Sequence, residues 1–112
     1  MSKKLVRRAI ADADVLVALD YCFTNAPEYA FDFIDDLERA YQHIEQYPAS
    51  GSPRYAIELE LPELRAWKCQ RYPYVIFYAE SAEQIEVWRV MHEKQDLPES
   101  LTWDRVGNEL SY

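Results

Sequence analysis

The chain has 112 residues, 49% of them hydrophobic and 14% aromatic, with a formal net charge of −8. That length holds one domain, spanning residues 1–112, whose core needs no staples, and the composition excludes a disordered chain. Two glycines exclude a Gly-rich phosphate cradle, and the acidic balance repels nucleic acid at long range unless a local basic face overcomes it.

Leu5 to Ile10 (LVRRAI) is short and rich in branched residues, which predicts a strand. Asp12 or Asp14 can then accept the first free amides of a helix. In that helix Leu16, Leu19 and Phe23 fall three and four residues apart, which predicts one apolar stripe. Asn25 suits a cap and Pro27 the first turn of a second helix. There Ala30, Ile34, Leu37, Tyr41 and Ile44 repeat at helical spacing, widened by Phe31, Phe33 and Ala40, until Pro48 and the turn PASGSP. A break this short predicts an antiparallel helical hairpin.

Tyr55, Ile57, Leu59 and Leu61 alternate with Ala56, Glu58 and Glu60, which predicts an extended segment ended by Pro62. Leu64 to Arg71 predicts the next strand, with Arg65, Trp67 and Cys69 on one side, and Pro73 places the following turn. Tyr74 to Tyr78 (YVIFY) predicts a central strand apolar on both faces. Ser81 to Glu83 makes a hairpin turn, and Ile85 to His92 the last strand. Its alternation slips before Val90, so a bulge near Trp88 and Arg89 is expected, re-aiming Arg89. Asp96, Pro98 and Glu99 look like a helix start, and Trp103, Val106 and Leu110 have helical spacing that Gly107 interrupts. The expected fold class is α+β: an N-terminal strand, a helical hairpin, an antiparallel three-stranded sheet and a short C-terminal helix, with the helices on one face.

Cys22 and Cys69 sit in different sequence settings and read as small hydrophobes of a reduced protein. Four basic residues among the first eight precede no apolar signal core. The longest apolar run, Val15 to Leu19, falls far short of the ~20 residues a membrane span needs. A cytoplasmic chain with no membrane contact is expected. No metal-ligand set, cofactor motif or nucleophile motif stands out, so no cofactor and no metal are expected. Cys69 has no pKa-lowering motif beside it.

Several features in order resemble the RelE/ParE superfamily of small bacterial toxins across roughly residues 12–101. They are Tyr21; Pro27, Ala30 and Phe33; Tyr47, Pro48 and Gly51; Leu64 and Arg65; then PYVIFY and IEVWRVMHEKQDLP. The ending, a strand followed by His92, Asp96 and Leu97, looks more like the ParE branch. That resemblance implies the toxin of a type II toxin–antitoxin pair, neutralised by a cognate antitoxin, inhibiting DNA gyrase by binding rather than by chemistry. The RelE branch instead cuts ribosome-bound mRNA, which needs a base, an acid and cations aimed at the scissile phosphate. The chain departs from that pattern, with Glu93 beside His92 and Tyr74 or Val75 where the nucleases tend to carry Arg. A third reading is an inert member that only binds its antitoxin.

Under the enzyme reading the candidate catalytic residues are His92, Arg65 and Arg71. His92 as a base competes with a strand-end His hydrogen-bonded to a neighbouring turn. Under the binding reading the target contacts are Arg65, Arg71, Arg89, Trp88 and Trp103, since Trp and Arg dominate binding hot spots. The same arginines would otherwise pair with nearby acids. His43 falls at the edge of the second helix and reads as a surface residue, and no specific nucleic-acid contact is expected.

Overall fold

The computed structural model describes residues 3–94. In chain order it holds β1 (Lys4–Arg7), α1 (Ala9–Asn25), a 3-10 turn (Pro27–Tyr29), α2 (Ala30–Gln46), a second 3-10 turn (Pro48–Ser50), α3 (Arg54–Glu58), β2 (Leu64–Lys68), β3 (Tyr74–Glu80) and β4 (Gln84–His92). The α+β class and the helical hairpin before the strands are as expected. The expected C-terminal helix, Trp103 and Asp96 lie outside the described residues.

The four strands form one sheet in the order β1-β4-β3-β2. The last three are antiparallel neighbours, whereas β1 joins the edge parallel to β4. The N-terminal strand therefore turns the expected three-stranded sheet into a mixed four-stranded one. The Arg8 N–H bonds the Val87 carbonyl at 3.0 Å, and the Arg8 carbonyl accepts the amides of Ala11 and Asp12. This fastening to β4 starts α1 at Ala9, before either expected cap; Asp12 instead pairs with Arg7 at 2.8 Å.

β3 is apolar on both faces because both faces are covered. Ile76 and Tyr78 join Leu37, Ala40 and Ile44 of α2, Ala11 of α1, and Ile85, Val87 and Val90 of β4 in one cluster. Val75, Phe77 and Ala79 join Trp88, Met91 and Ala56 on the opposite face. The helices are thus not all on one side. The segment read as extended at residues 55–61 is α3, whose Tyr55 lies edge-on to Phe77 at 5.3 Å. Tyr55 and Leu59 pack on the sheet one helical turn apart, while Ile57 points into solvent, 85% exposed. The helix ends in a tight reversal. Glu60 adopts φ 54°, and the Leu61 N–H returns to the Ala56 carbonyl at 2.9 Å.

The bulge expected near Trp88 and Arg89 is present. The register runs from Phe77 opposite Arg89 to Tyr78 opposite Val87, which leaves Trp88 as the extra residue. Tyr78 also fixes the turn after α2. Its hydroxyl donates to the Pro48 carbonyl at 2.7 Å and accepts the Gly51 N–H at 3.0 Å. A Cβ on residue 51 would run into that hydroxyl, so glycine is required there by close approach.

Candidate functional site

The four arginine and histidine candidates that lie among the described residues do not form one patch. Arg65 is the second residue of β2, opposite Tyr78, while His92 ends β4 opposite Tyr74. Four residues of strand β3 separate those positions, roughly 13 Å. The Arg65 guanidinium donates to the carbonyls of Ala49 and Gly51 at 3.1 and 2.8 Å, fastening the turn after α2. Arg71, in the β2–β3 turn, pairs with Asp32 of α2 at 2.6 Å. Arg89 is held in a fork by Asp14 of α1, at 2.8 and 2.9 Å, and both side chains are largely buried. The same carboxylate takes the Val90 N–H at 3.0 Å. The bulge thus re-aims Arg89 toward a carboxylate of this chain.

His92 accepts the Lys94 N–H on Nδ1 at 3.1 Å and stands edge-on to Tyr74 at 5.3 Å. This is the turn-bonded arrangement set against the general-base reading. Trp88 does not offer an exposed contact. It is 6% exposed, its indole N–H donates to Glu86 at 3.1 Å, and Arg8 lies over its ring at 4.6 Å. His43 is half-buried rather than free on the surface, stacked on Trp67 with centroids 4.0 Å apart. Cys69 is buried, and burial with the nearby Asp36 carboxylate pushes its thiol up to about 12, which makes it a poor nucleophile.

Two helix carboxylates turn inward. Asp14 is one. Asp36 of α2 is the other, 2% exposed, accepting the N–H groups of Arg71 and Tyr72 at 3.1 and 3.0 Å. Each helix thus lends one carboxylate to backbone amides of the sheet layer. The acidic count of the helices overstates the free acid on their surface.

The most exposed apolar surface belongs to α1. Only Ala11 and Ala18 of this helix are buried. Leu16, Val17 and Tyr21 are 67%, 71% and 67% exposed, and Phe23 is also exposed. Val17 and Tyr21 form one wall of an open groove of about 350 Å³, whose other wall is Tyr74, Val90 and His92 at the ends of β3 and β4. Asp14 and Ala18 line its floor. Of the apolar stripe read through Leu16, Leu19 and Phe23, Leu16 and Phe23 are exposed and Leu19 is half-buried. The helix approaches β4 on its small residues instead. The signal for this site was the surplus of apolar residues in the helix, more than one packing face requires.

Such a surface can dock a protein segment. Comparison with known proteins gives it a context. No curated protein matches the chain in sequence. Among solved structures, a chain of the chromosomal ParDE TA system from P. aeruginosa is similar, with a TM-score of 0.69 and 20% identity. The likeness covers 80% of this chain and 95% of that one, and it shows a shared fold. The family model described as the ParE toxin of the type II toxin–antitoxin system parDE matches residues 5–97. The chain belongs to the ParE toxin family.

Proposed function

We propose that this toxin inhibits DNA gyrase by binding it, with no chemistry of its own, and is neutralised by a cognate antitoxin that covers the apolar flank of α1. The observation that carries the reading is the family match across residues 5–97. Two features of the site support it. The exposed Leu16, Val17 and Tyr21 beside an open groove suit an amphipathic helix laid along α1, the usual way such a helix buries its apolar face. The arginines that the enzyme reading would aim at substrate are engaged by this chain's own groups, Arg71 by Asp32 and Arg65 by the carbonyls of Ala49 and Gly51.

The test is supercoiling by purified gyrase with and without the protein, run beside mapping of ribosome-bound mRNA. Loss of supercoiling with trapped cleaved DNA and intact mRNA is expected, and the His92→Ala variant should behave the same if folded. Codon-positioned mRNA cuts that vanish in His92→Ala, with gyrase unaffected, would replace this reading with an mRNA interferase.

A further inference from the structure

The outer edge of β2 carries a basic cleft that the α1 groove does not touch. It opens over about 560 Å³ and is lined by Arg54 and Tyr55 of α3, Lys68 of β2, Val75 of β3, and Glu93 and Lys94 after β4. Elsewhere Arg7, Arg8, Arg71 and Arg89 are each matched to a carboxylate. Here three cations converge on one acid: Lys68 bonds Glu93 at 2.9 Å, while Arg54 and Lys94 have no carboxylate partner among the described residues. The cleft is therefore positive in a chain of net charge −8.

Two details show what kind of anion fits. The Glu93 carboxylate already occupies a seat on Lys68, and that bond holds its acid below the usual carboxylate range. Beside this seat runs an open strand edge. In an antiparallel pair the backbone groups of alternate residues point away from the partner strand. Ala66 turns outward and exchanges both bonds with Ser52, at 2.8 and 2.9 Å. Two residues on, Lys68 turns its N–H and C=O to the same side, where no described backbone meets them. An extended chain could continue the edge that Ser52 begins.

We propose that this cleft binds an extended acidic segment of a partner protein, pairing with the β2 edge at Lys68 and placing its carboxylates on Lys68, Arg54 and Lys94, with Glu93 as the tethered occupant it displaces. Val75 and Tyr55 supply an apolar floor for the intervening side chains. The inference rests on the geometry of this edge and not on the gyrase reading. A peptide suits the site better than a nucleic acid, because a long polyanion would also run past the acidic surface, whereas contacts within a Debye length act locally.

The test is fluorescence anisotropy at low ionic strength, using the full chain and a short labelled peptide of alternating Val and Glu. A Val-Lys peptide of equal length and a single-stranded oligonucleotide serve as competitors. The Val-Glu peptide should bind and the Val-Lys peptide should not. The Arg54→Ala/Lys94→Ala variant should weaken binding roughly tenfold, and Glu93→Gln should tighten it by removing the tethered competitor. Both altered cations are outside the core, and Lys94→Ala alone serves if the double variant is unstable. No binding of the Val-Glu peptide, binding indifferent to Arg54 and Lys94, or displacement by the oligonucleotide at lower concentration than by unlabelled peptide would each overturn the proposal.

Discussion

α1 and α2 have the same length, seventeen residues each, and opposite characters. α2 buries Phe33, Leu37, Ala40 and Ile44 on one face and leaves Asp35 and Glu38 in water. α1 is the more apolar in content yet buries only Ala11 and Ala18. An amphipathic helix gains its stability by turning one stripe to the core. The apolar side chains of α1 that stay outside gain nothing from the fold of the isolated chain. On the proposed reading, one helix serves folding, and the other serves folding plus docking.

The sharpest way to break that contrast is to truncate a matched phenylalanine in each helix. Phe33 is 2% exposed and packs against Tyr72 and Tyr74 at 5.6 and 5.1 Å. Phe33→Ala should cost about 3–5 kcal/mol, through lost burial and the cavity left behind. Phe23→Ala, at 49% exposure, should cost less than about 1 kcal/mol. Urea unfolding of the two variants checks this. Equal losses would mean that α1 packs as tightly as α2.

The inward carboxylates give the next largest effects. Asp14→Ala removes both bonds of the fork to Arg89 and the acceptor of the Val90 N–H, and should cost about 3 kcal/mol. Asp36→Ala strips the acceptor from the amides of Arg71 and Tyr72, and should cost about 2 kcal/mol. Denaturant midpoints measured for both should keep that order, because the Asp14 site includes a charged partner. If Asp14→Ala proved neutral, α1 would not be anchored to β4 by this carboxylate.

Much of this contrast was legible in the sequence, and the failures have physical causes. The α2 stripe, the two-sided β3 and the bulge at Trp88 each leave a periodic mark in the chain. The orientation of α1 leaves none. Its apolar residues cover more than one face, so spacing alone could not say that Ala11 and Ala18 turn inward while Leu16 turns out. The destinations of Arg65, Arg71 and Arg89 are tertiary contacts across 14, 39 and 75 residues of chain. Residues 55–61 misled because their alternation is real in the sequence, while the helix of five residues is closed by Glu60 in the left-handed region, where glycine is the usual signal. Glu60→Gly should relieve that strain and stabilise the protein by about 0.5–1 kcal/mol, read as a rise in the thermal midpoint. A loss of stability would mean that the Glu60 side chain contributes more than its backbone costs.

The smallest stability effect carries the most information. Val17→Ser and Tyr21→Ala remove exposed side chains from α1, so each should leave unfolding within about 0.5 kcal/mol of the parent. The same pair lines the groove beside Tyr74 and His92. If the groove is where the antitoxin helix lies, both variants should bind the antitoxin at least roughly tenfold more weakly in calorimetric titration, because side chains central to such a contact carry most of its free energy. Phe33→Ala reverses the pattern: a less stable protein whose folded fraction keeps its affinity. Stability and affinity would then separate along the two helices, α2 carrying the first and α1 the second. Unchanged affinity in Val17→Ser and Tyr21→Ala would move the docking surface off this flank and leave the exposed side chains of α1 without a function.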